Sequence, residues 1–269
     1  SLYDLYQEAH TPFEWHRELF SFAETIGITI FSSPFDETAV ELLEDLNTPA
    51  YKIASFELCD IPLIKYIARK GKPILMSTGM ADKQEINEAV CAAKNNGCSE
   101  ILLFHCISSY PTPTEESNLK NLLHLRDQFG FEVGLSDHTL NNTAAIASVA
   151  LGASAIEKHF TINKNEKGPD SEFSIEPEEL IELKLKTNET WLALGKGHFG
   201  RSKAETANKI FRRSIYFVRD LKAGNYITKS DIKRIRPGYG LSPKFQDKIL
   251  GKKIKVDVKR GDPVSWDVF

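Results

Sequence analysis

Glu132-Val133-Gly134-Leu135-Ser136-Asp137-His138 and Ala155-Ile156-Glu157-Lys158-His159 decide the fold. Each is a short apolar run that ends in polar residues and a histidine. A helical stretch, 141–151, separates them. A buried parallel strand reads as a continuous apolar run, and a strand–helix–strand alternation of this length is the unit of a parallel sheet. Working outward, the same pattern recurs. Strands are expected at 28–33, 50–54, 73–77, 101–105, 132–136 and 155–159, followed by helices at 36–46, 60–70, 82–96, 116–129, 141–151 and 176–194. One more helix comes first: Thr11-Pro12-Phe13-Glu14 reads as a capping box with Pro at the first helical position, and Gly27 as its C-cap.

Six strand–helix units fall two short of a closed eight-stranded barrel. The expectation is an α/β fold, a (β/α)8 TIM barrel lacking its first two strands in this chain, over residues 1–200. An open doubly wound sheet is the alternative, weakened by the lack of a GxGxxG or P-loop after any strand. A polar linker, 201–212, leads to a small domain at 213–269. There Asp220-Leu221-Lys222-Ala223-Gly224-Asn225-Tyr226-Ile227-Thr228 is echoed by Asp257-Val258-Lys259-Arg260-Gly261-Asp262-Pro263-Val264-Ser265. Each half reads as a strand, a Gly turn and another short strand.

Composition narrows the function. The 269 residues are 41% hydrophobic and 26% charged, enough for a sizeable core. No apolar stretch approaches the roughly 20 residues of a membrane span. Four cysteines (Cys59, Cys91, Cys98, Cys106) without CxxC spacing suit a reduced, cytoplasmic protein. Residues 209–269 carry a net charge of +10 and the remainder −13. With no nucleic-acid motif and no aromatic stacking platform, the basic tail points to an acidic partner surface or an anionic ligand.

In a barrel the chemistry sits at the C-terminal strand ends. His138 and His159 end consecutive strands, as two imidazoles sharing one divalent metal would; capping each strand by a hydrogen bond is the plain alternative. Asp137 is placed to orient His138. Lys52 interrupts an apolar run, where a charge is costly unless paired. With Ser33, Ser55, Ser77 and Ser136 it suits a phosphate or carboxylate. Glu57 follows a strand end as a general acid or base, or as an ordinary salt-bridging residue. Tyr110-Pro111-Thr112-Pro113 is a stiff turn that fixes Tyr110, and Gly168-Pro169-Asp170 lies in a long loop suited to substrate contacts.

Taken together, Lys-Ile-Ala-Ser at 52–55, Met-Ser-Thr-Gly at 76–79, Tyr-Pro-Thr-Pro at 110–113, Gly-Leu-Ser-Asp-His-Thr at 134–139, Glu-Lys-His-Phe at 157–160, Gly-Pro-Asp at 168–170 and Arg-Pro-Gly at 236–238 resemble the sialic acid synthase family over nearly the whole chain. The tail resembles the small, mostly-β SAF (antifreeze-protein-like) domain that follows the barrel there. Phe56, the entry segment 5–16 and the tail 240–245 are most similar to the pseudaminate branch; Ser108 stands where the neuraminate branch places an Asn.

The resemblance implies condensation of phosphoenolpyruvate with an N-acetylated amino sugar, 2,4-diacetamido-2,4,6-trideoxy-L-altrose, plus water, to give a nonulosonic acid and phosphate. It implies Mn²⁺ or Mg²⁺ on His138 and His159, and phosphoenolpyruvate held by Lys52, Ser33, Ser55, Ser77 and Ser136, with Ser108 and Tyr110 lining the pocket. Glu57, His159 and Asp170 would serve catalysis, and Arg236 the sugar's N-acyl group in a neighbouring subunit, hence a domain-swapped homodimer. It further implies two preceding strands bearing a Glu and a second Lys, without which this polypeptide is expected to be weakly active or inactive. Neuraminate or legionaminate synthesis, a metal-dependent aldolase or lyase, and a non-catalytic carbohydrate-binding protein are the rivals.

Overall fold

The structure, a computed structural model, describes residues 9–166 and 168–269. The chain divides into two compact units, the first ending at Lys196 and the second beginning at Gly197.

The first unit is a half-barrel. Five strands, β1 (Tyr51–Ile53), β2 (Ile74–Ser77), β3 (Ile101–Cys106), β4 (Glu132–Asp137) and β5 (Ala155–Lys158), run parallel in sequence order. The intervening helices begin where short acidic side chains satisfy free backbone N–H groups. Asp36 accepts from Ala39 N ahead of α2 (Glu37–Asp45), and Asp60 from Leu63 N ahead of α3 (Ile61–Ala68). Asp82 and Glu85 close a capping box on α4 (Lys83–Asn95). The remaining helices are α5 (Asn121–Phe129), α6 (Thr143–Ala150) and α7 (Pro177–Leu194), the last opened by Glu176, Pro177 and Glu179. Ile53, Met76, Leu103 and Val133 of the sheet pack with Val40, Leu43, Ile64, Ile67, Ala89 and Leu122 of the helices in one core, and Leu135, Ala144, Ala145, Ile175 and Leu183 form a second cluster.

Three expectations change. Residues 28–33 are not a regular strand: one parallel bridge joins Ser32 to Tyr51, and Lys52 N donates to Ser32 O. Their only paired neighbour among the described residues is the three-residue β1, and Ile28 stays exposed, so the ladder does not propagate. The first helix, α1 (Phe13–Ile26), starts after Pro12 without a side-chain cap, so the Thr11–Glu14 box does not form; Gly27 does cap it, at φ +72°. The helix expected at 116–129 starts only at Asn121, because Asn118 takes φ +43° after a single 3₁₀ turn at Thr114–Glu116.

Trp15, Leu19, Phe22 and Ile26 form an exposed stripe along α1. On α7, Ile181, Leu185, Trp191 and Leu192 are also exposed.

The second unit pairs β6 (Ser214–Phe217) antiparallel with β7 (Ile232–Ile235), with a short α8 (Gln246–Ile249). Its internal repeat is a structural pseudo-dyad. Leu221 and Val258 exchange backbone hydrogen bonds, and each repeat's aspartate caps the other's turn, Ala223 N donating to Asp257 Oδ1 and Arg260 N to Asp220 Oδ1. Gly224 N donates to Ile254 O just as Gly261 N does to Phe217 O. Ile215, Phe217, Ile227, Ile249, Ile254, Val258 and Val264 fill the core between the halves.

Candidate active site

The sheet register sets the site. Ser77 pairs with Phe104, Cys106 with Ser136, Ser136 with Glu157 and Asp137 with Lys158, so the polar ends of β2 to β5 lie side by side. Lys52, buried on β1, donates to Ser77 Oγ at 2.8 Å and to Ile53 O at 3.3 Å; its ammonium lies 3.5 Å from Glu157 Oε2. Ser136 Oγ donates to Glu157 Oε1 at 2.7 Å. The buried ammonium thus meets one hydroxyl, one backbone carbonyl and one carboxylate, and the charge is paired, as burial demands.

Beside it, Ser55 Oγ accepts from Gly79 N at 3.2 Å and contacts Cys106 Sγ at 3.4 Å, with Ser108 Oγ 4.0 Å from the same sulfur. A Cβ on Gly79 would lie 2.2 Å from Ser108 Oγ and 2.7 Å from Ser55 Oγ, so only glycine keeps this hydroxyl-lined recess open. Burial alone would push the Cys106 thiol up, but His138, Ser55 and Ser136 reverse that and hold it below the usual thiol range.

The histidines stand on the other side of Cys106. Their ring centroids are 5.1 Å apart. His138 Nδ1 lies 2.9 Å from Ile107 O; a carbonyl only accepts, so this nitrogen carries the proton and Nε2 keeps its lone pair. His159 Nδ1 lies 3.2 Å from Asp170 Oδ2, which commits that ring in the same sense. Burial lowers the His159 pKa, with Asp170 opposing and His138 adding to the effect. Burial also works against charge on His138, but Cys106 and Ile107 O outweigh it and the net shift is upward. Two free Nε2 atoms on adjacent strand ends suit a divalent ion. Among the described residues no group of three or more His, Cys, Asp or Glu converges, so such an ion would complete its shell from water and substrate, as a catalytic ion does.

Tyr110 covers both rings, its centroid 4.4 Å from His138 and 6.1 Å from His159, and Phe173 closes the wall 4.9 Å from His159. The Tyr110–Pro111 bond is cis, and Thr112 ties the turn down: its N–H donates to His138 O and its hydroxyl to Ser109 O and Ile107 O. Burial pushes the Tyr110 phenol up. Glu57, in a 3₁₀ turn after β1, has Oε2 buried without a partner among the described residues, and burial raises its pKa despite Lys52 nearby.

Of the residues singled out in the sequence, Lys52, Ser55, Ser77, Ser108 and Ser136 converge, and His138, His159, Tyr110 and Asp170 form the adjoining group. Ser33 is half-buried beside the Ser32 bridge and has no hydrogen bond to the others. The His138 ring bonds Ile107 O and not Asp137, which pairs with Lys158 instead. Arg236 is exposed on the second unit, where with Arg212, Arg213, Asn208 and Ser242 it lines a cavity of about 570 Å³. Glu157, Cys106 and Gly79 were missed. Glu157 carried a readable signal, since it and Lys158 interrupt an apolar strand just as Lys52 does.

The NeuB family profile matches residues 1–199 and the SAF domain profile residues 212–269. Pseudaminic acid synthase of Helicobacter pylori is 42% identical over 99% of this chain and 79% of its own length. The enzyme of the same name from Campylobacter jejuni (serotype O:2) is 40% identical over 100% of this chain and 78% of its own. Among solved structures, N-acetylneuraminic acid synthetase of Leptospira borgpetersenii in complex with citrate superposes with a TM-score of 0.72 at 31% identity, covering 76% of this chain and 72% of that one. No described helix is long and apolar enough to cross a membrane. A parallel half-barrel whose strand ends gather a buried lysine, serines and two histidines, followed by a small pseudo-symmetric β unit, agrees with these matches: the chain belongs to the NeuB family and carries a SAF domain.

Proposed function

We propose that the chain is a phosphoenolpyruvate-dependent nonulosonic acid synthase, a transferase that joins phosphoenolpyruvate to 2,4-diacetamido-2,4,6-trideoxy-L-altrose and water to give pseudaminate and phosphate. The observation that carries this reading is the buried Lys52 and its serines on one side of Cys106 with the His138–His159 pair on the other. The pseudaminic acid synthase relatives at 42% and 40% identity support the choice of sugar.

Lys52, Ser55, Ser77 and Ser136 hold the anionic groups of phosphoenolpyruvate, with Ser108 in the Gly79 recess and Ser33 at the β1 edge completing the pocket; charge and multiple donors are what an oxyanion needs. Tyr110 lines the pocket and stacks over the histidines. His138 and His159 would hold a divalent ion, Mn²⁺ or Mg²⁺, which when bound would supply Lewis acidity toward the sugar's aldehyde. Carbon 3 of phosphoenolpyruvate attacks the aldehyde carbon, and Glu57, kept protonated to higher pH by burial, gives its proton to the new alkoxide. Water adds at carbon 2, and the tetrahedral product releases phosphate as its new hydroxyl becomes the ketone. Asp170 orients His159 and takes the water's proton. Arg236 serves the sugar's N-acyl group in the partner subunit of a homodimer, and the enzyme works in the cytoplasm.

The test is release of inorganic phosphate from phosphoenolpyruvate with Mn²⁺. The sugar is either the diacetamido-trideoxy-altrose or N-acetylmannosamine, and the chain is assayed as it stands and extended by its relatives' first two strand–helix units. Release with the altrose derivative alone supports the proposal. Release with N-acetylmannosamine instead moves the chain to the neuraminate branch, and silence in both forms overturns the reading.

A further inference from the structure

Directly behind the histidines lies a buried ion pair that the mechanism above does not use. Lys158 Nζ donates to Asp137 Oδ2 at 2.8 Å, to Thr139 O at 2.7 Å and to Asn141 O at 3.2 Å. Asp137 Oδ1 accepts from Thr139 N at 3.0 Å. The side chains are 3% and 2% exposed. All three ammonium donors are therefore used, which is the condition under which a buried pair repays its desolvation. Apolar residues of similar size would hold two strands together as well, so the pair calls for a role besides adhesion.

Its position supplies one. Asp137 and Lys158 are register partners on β4 and β5. Successive side chains along extended backbone point to opposite faces, so the residues that directly follow these strand ends, His138 and His159, turn to the other side. The ion pair thus clamps the two strand ends from which the rings hang, and the Thr139 and Asn141 carbonyls tie the loop after His138 to the same ammonium. The polar partner of the His159 ring, Asp170, is itself half-exposed. Resting on the reading that these imidazoles hold a divalent ion, we propose that Asp137 and Lys158 are a positioning pair that sets the His138–His159 spacing and with it their joint affinity for the cation.

Mn²⁺ binding to the full chain, read by electron paramagnetic resonance of the free ion, tests this without turnover. Lys158→Met alone would strand a buried carboxylate, so the informative variant is the double Asp137→Asn/Lys158→Met, which removes both charges. Its Mn²⁺ dissociation constant should rise about 10–100-fold, as for lost outer-sphere partners, at a temperature where its unfolding curve shows it folded. Calorimetric binding of phosphoenolpyruvate without metal should stay within about twofold, and Asp137→Asn, which keeps an acceptor for Lys158, should recover most of the Mn²⁺ affinity. Wild-type Mn²⁺ affinity in the double variant, with binding lost in His138→Ala, overturns the positioning role alone. Equal Mn²⁺ behaviour of wild type and His138→Ala overturns the histidine reading and the pair's role with it.

Discussion

Lys52 and Glu57 sit five positions apart and are buried for opposite reasons. The Lys52 ammonium is met by Ser77, Ile53 O and Glu157. A hydrogen bond to a charged group contributes about 1.5–3 kcal/mol. Lys52→Met should therefore raise the KM for phosphoenolpyruvate about 10–100-fold in steady-state assays. Glu57 has no such compensation, and burial holds its folded pKa above the unfolded value. The folded state then binds the proton more tightly, and stability is lost as pH rises through the folded pKa. Glu57→Gln should accordingly melt at or above the wild-type temperature at pH 7, with the difference vanishing below about pH 4, where an ordinary carboxyl is protonated in both states. Its kcat should fall about 100-fold or more if this carboxyl moves a proton.

At the scale of elements, β4 depends on the absence of a side chain. A Cβ on Gly134 would meet Phe104 Cε1 at 2.6 Å and Ala155 O at 2.7 Å. The carbonyl belongs to the adjoining strand and cannot yield without breaking the β4–β5 ladder. Overpacking of this kind costs about 1–3 kcal/mol, so Gly134→Ala should lower the thermal midpoint by about 3–10 °C. The five regular strands and helices α2, α3, α4, α6 and α7 were legible because each pairs an apolar run with a polar end or a capping residue such as Asp36, Asp60 or Asp82; the start of α5 and the short α8 were not. The parts that misled were those decided by neighbours. Residues 28–33 have a strand's composition, but pairing needs a partner. Thr11 and Glu14 have a capping box's spacing, yet the backbone enters the helix at Pro12. The active-site cluster was legible where a charge interrupts a strand, as at Lys52; the Asp137–Lys158 bond was not, because sequence adjacency to His138 suggested the wrong partner and only the register supplies the right one.

For the molecule as a whole, the first unit leaves apolar helix surface in water. Trp15 and Phe22 on α1 are 61% and 62% exposed, and Ile181 and Leu185 on α7 are 61% and 59% exposed. A continuous exposed apolar stripe favours association. This polypeptide should bind an apolar dye such as anilinonaphthalene sulfonate and show concentration-dependent self-association in sedimentation velocity. Trp15→Ser/Phe22→Ser should weaken both while leaving the melting curve nearly unchanged, since neither side chain is in the core. The second unit is the opposite case. Its two halves, with Asp220 and Asp257 in corresponding places, close on each other through matched bonds. That correspondence makes the unit read the same from either half. The doubled plan supplies its own substitution table: what one half uses at a position, the other can borrow. Asn225 and Asp262 are such counterparts, each accepting from the N–H three residues before it, at Lys222 and Lys259, so an engineer seeking a tolerated change need only read across the axis.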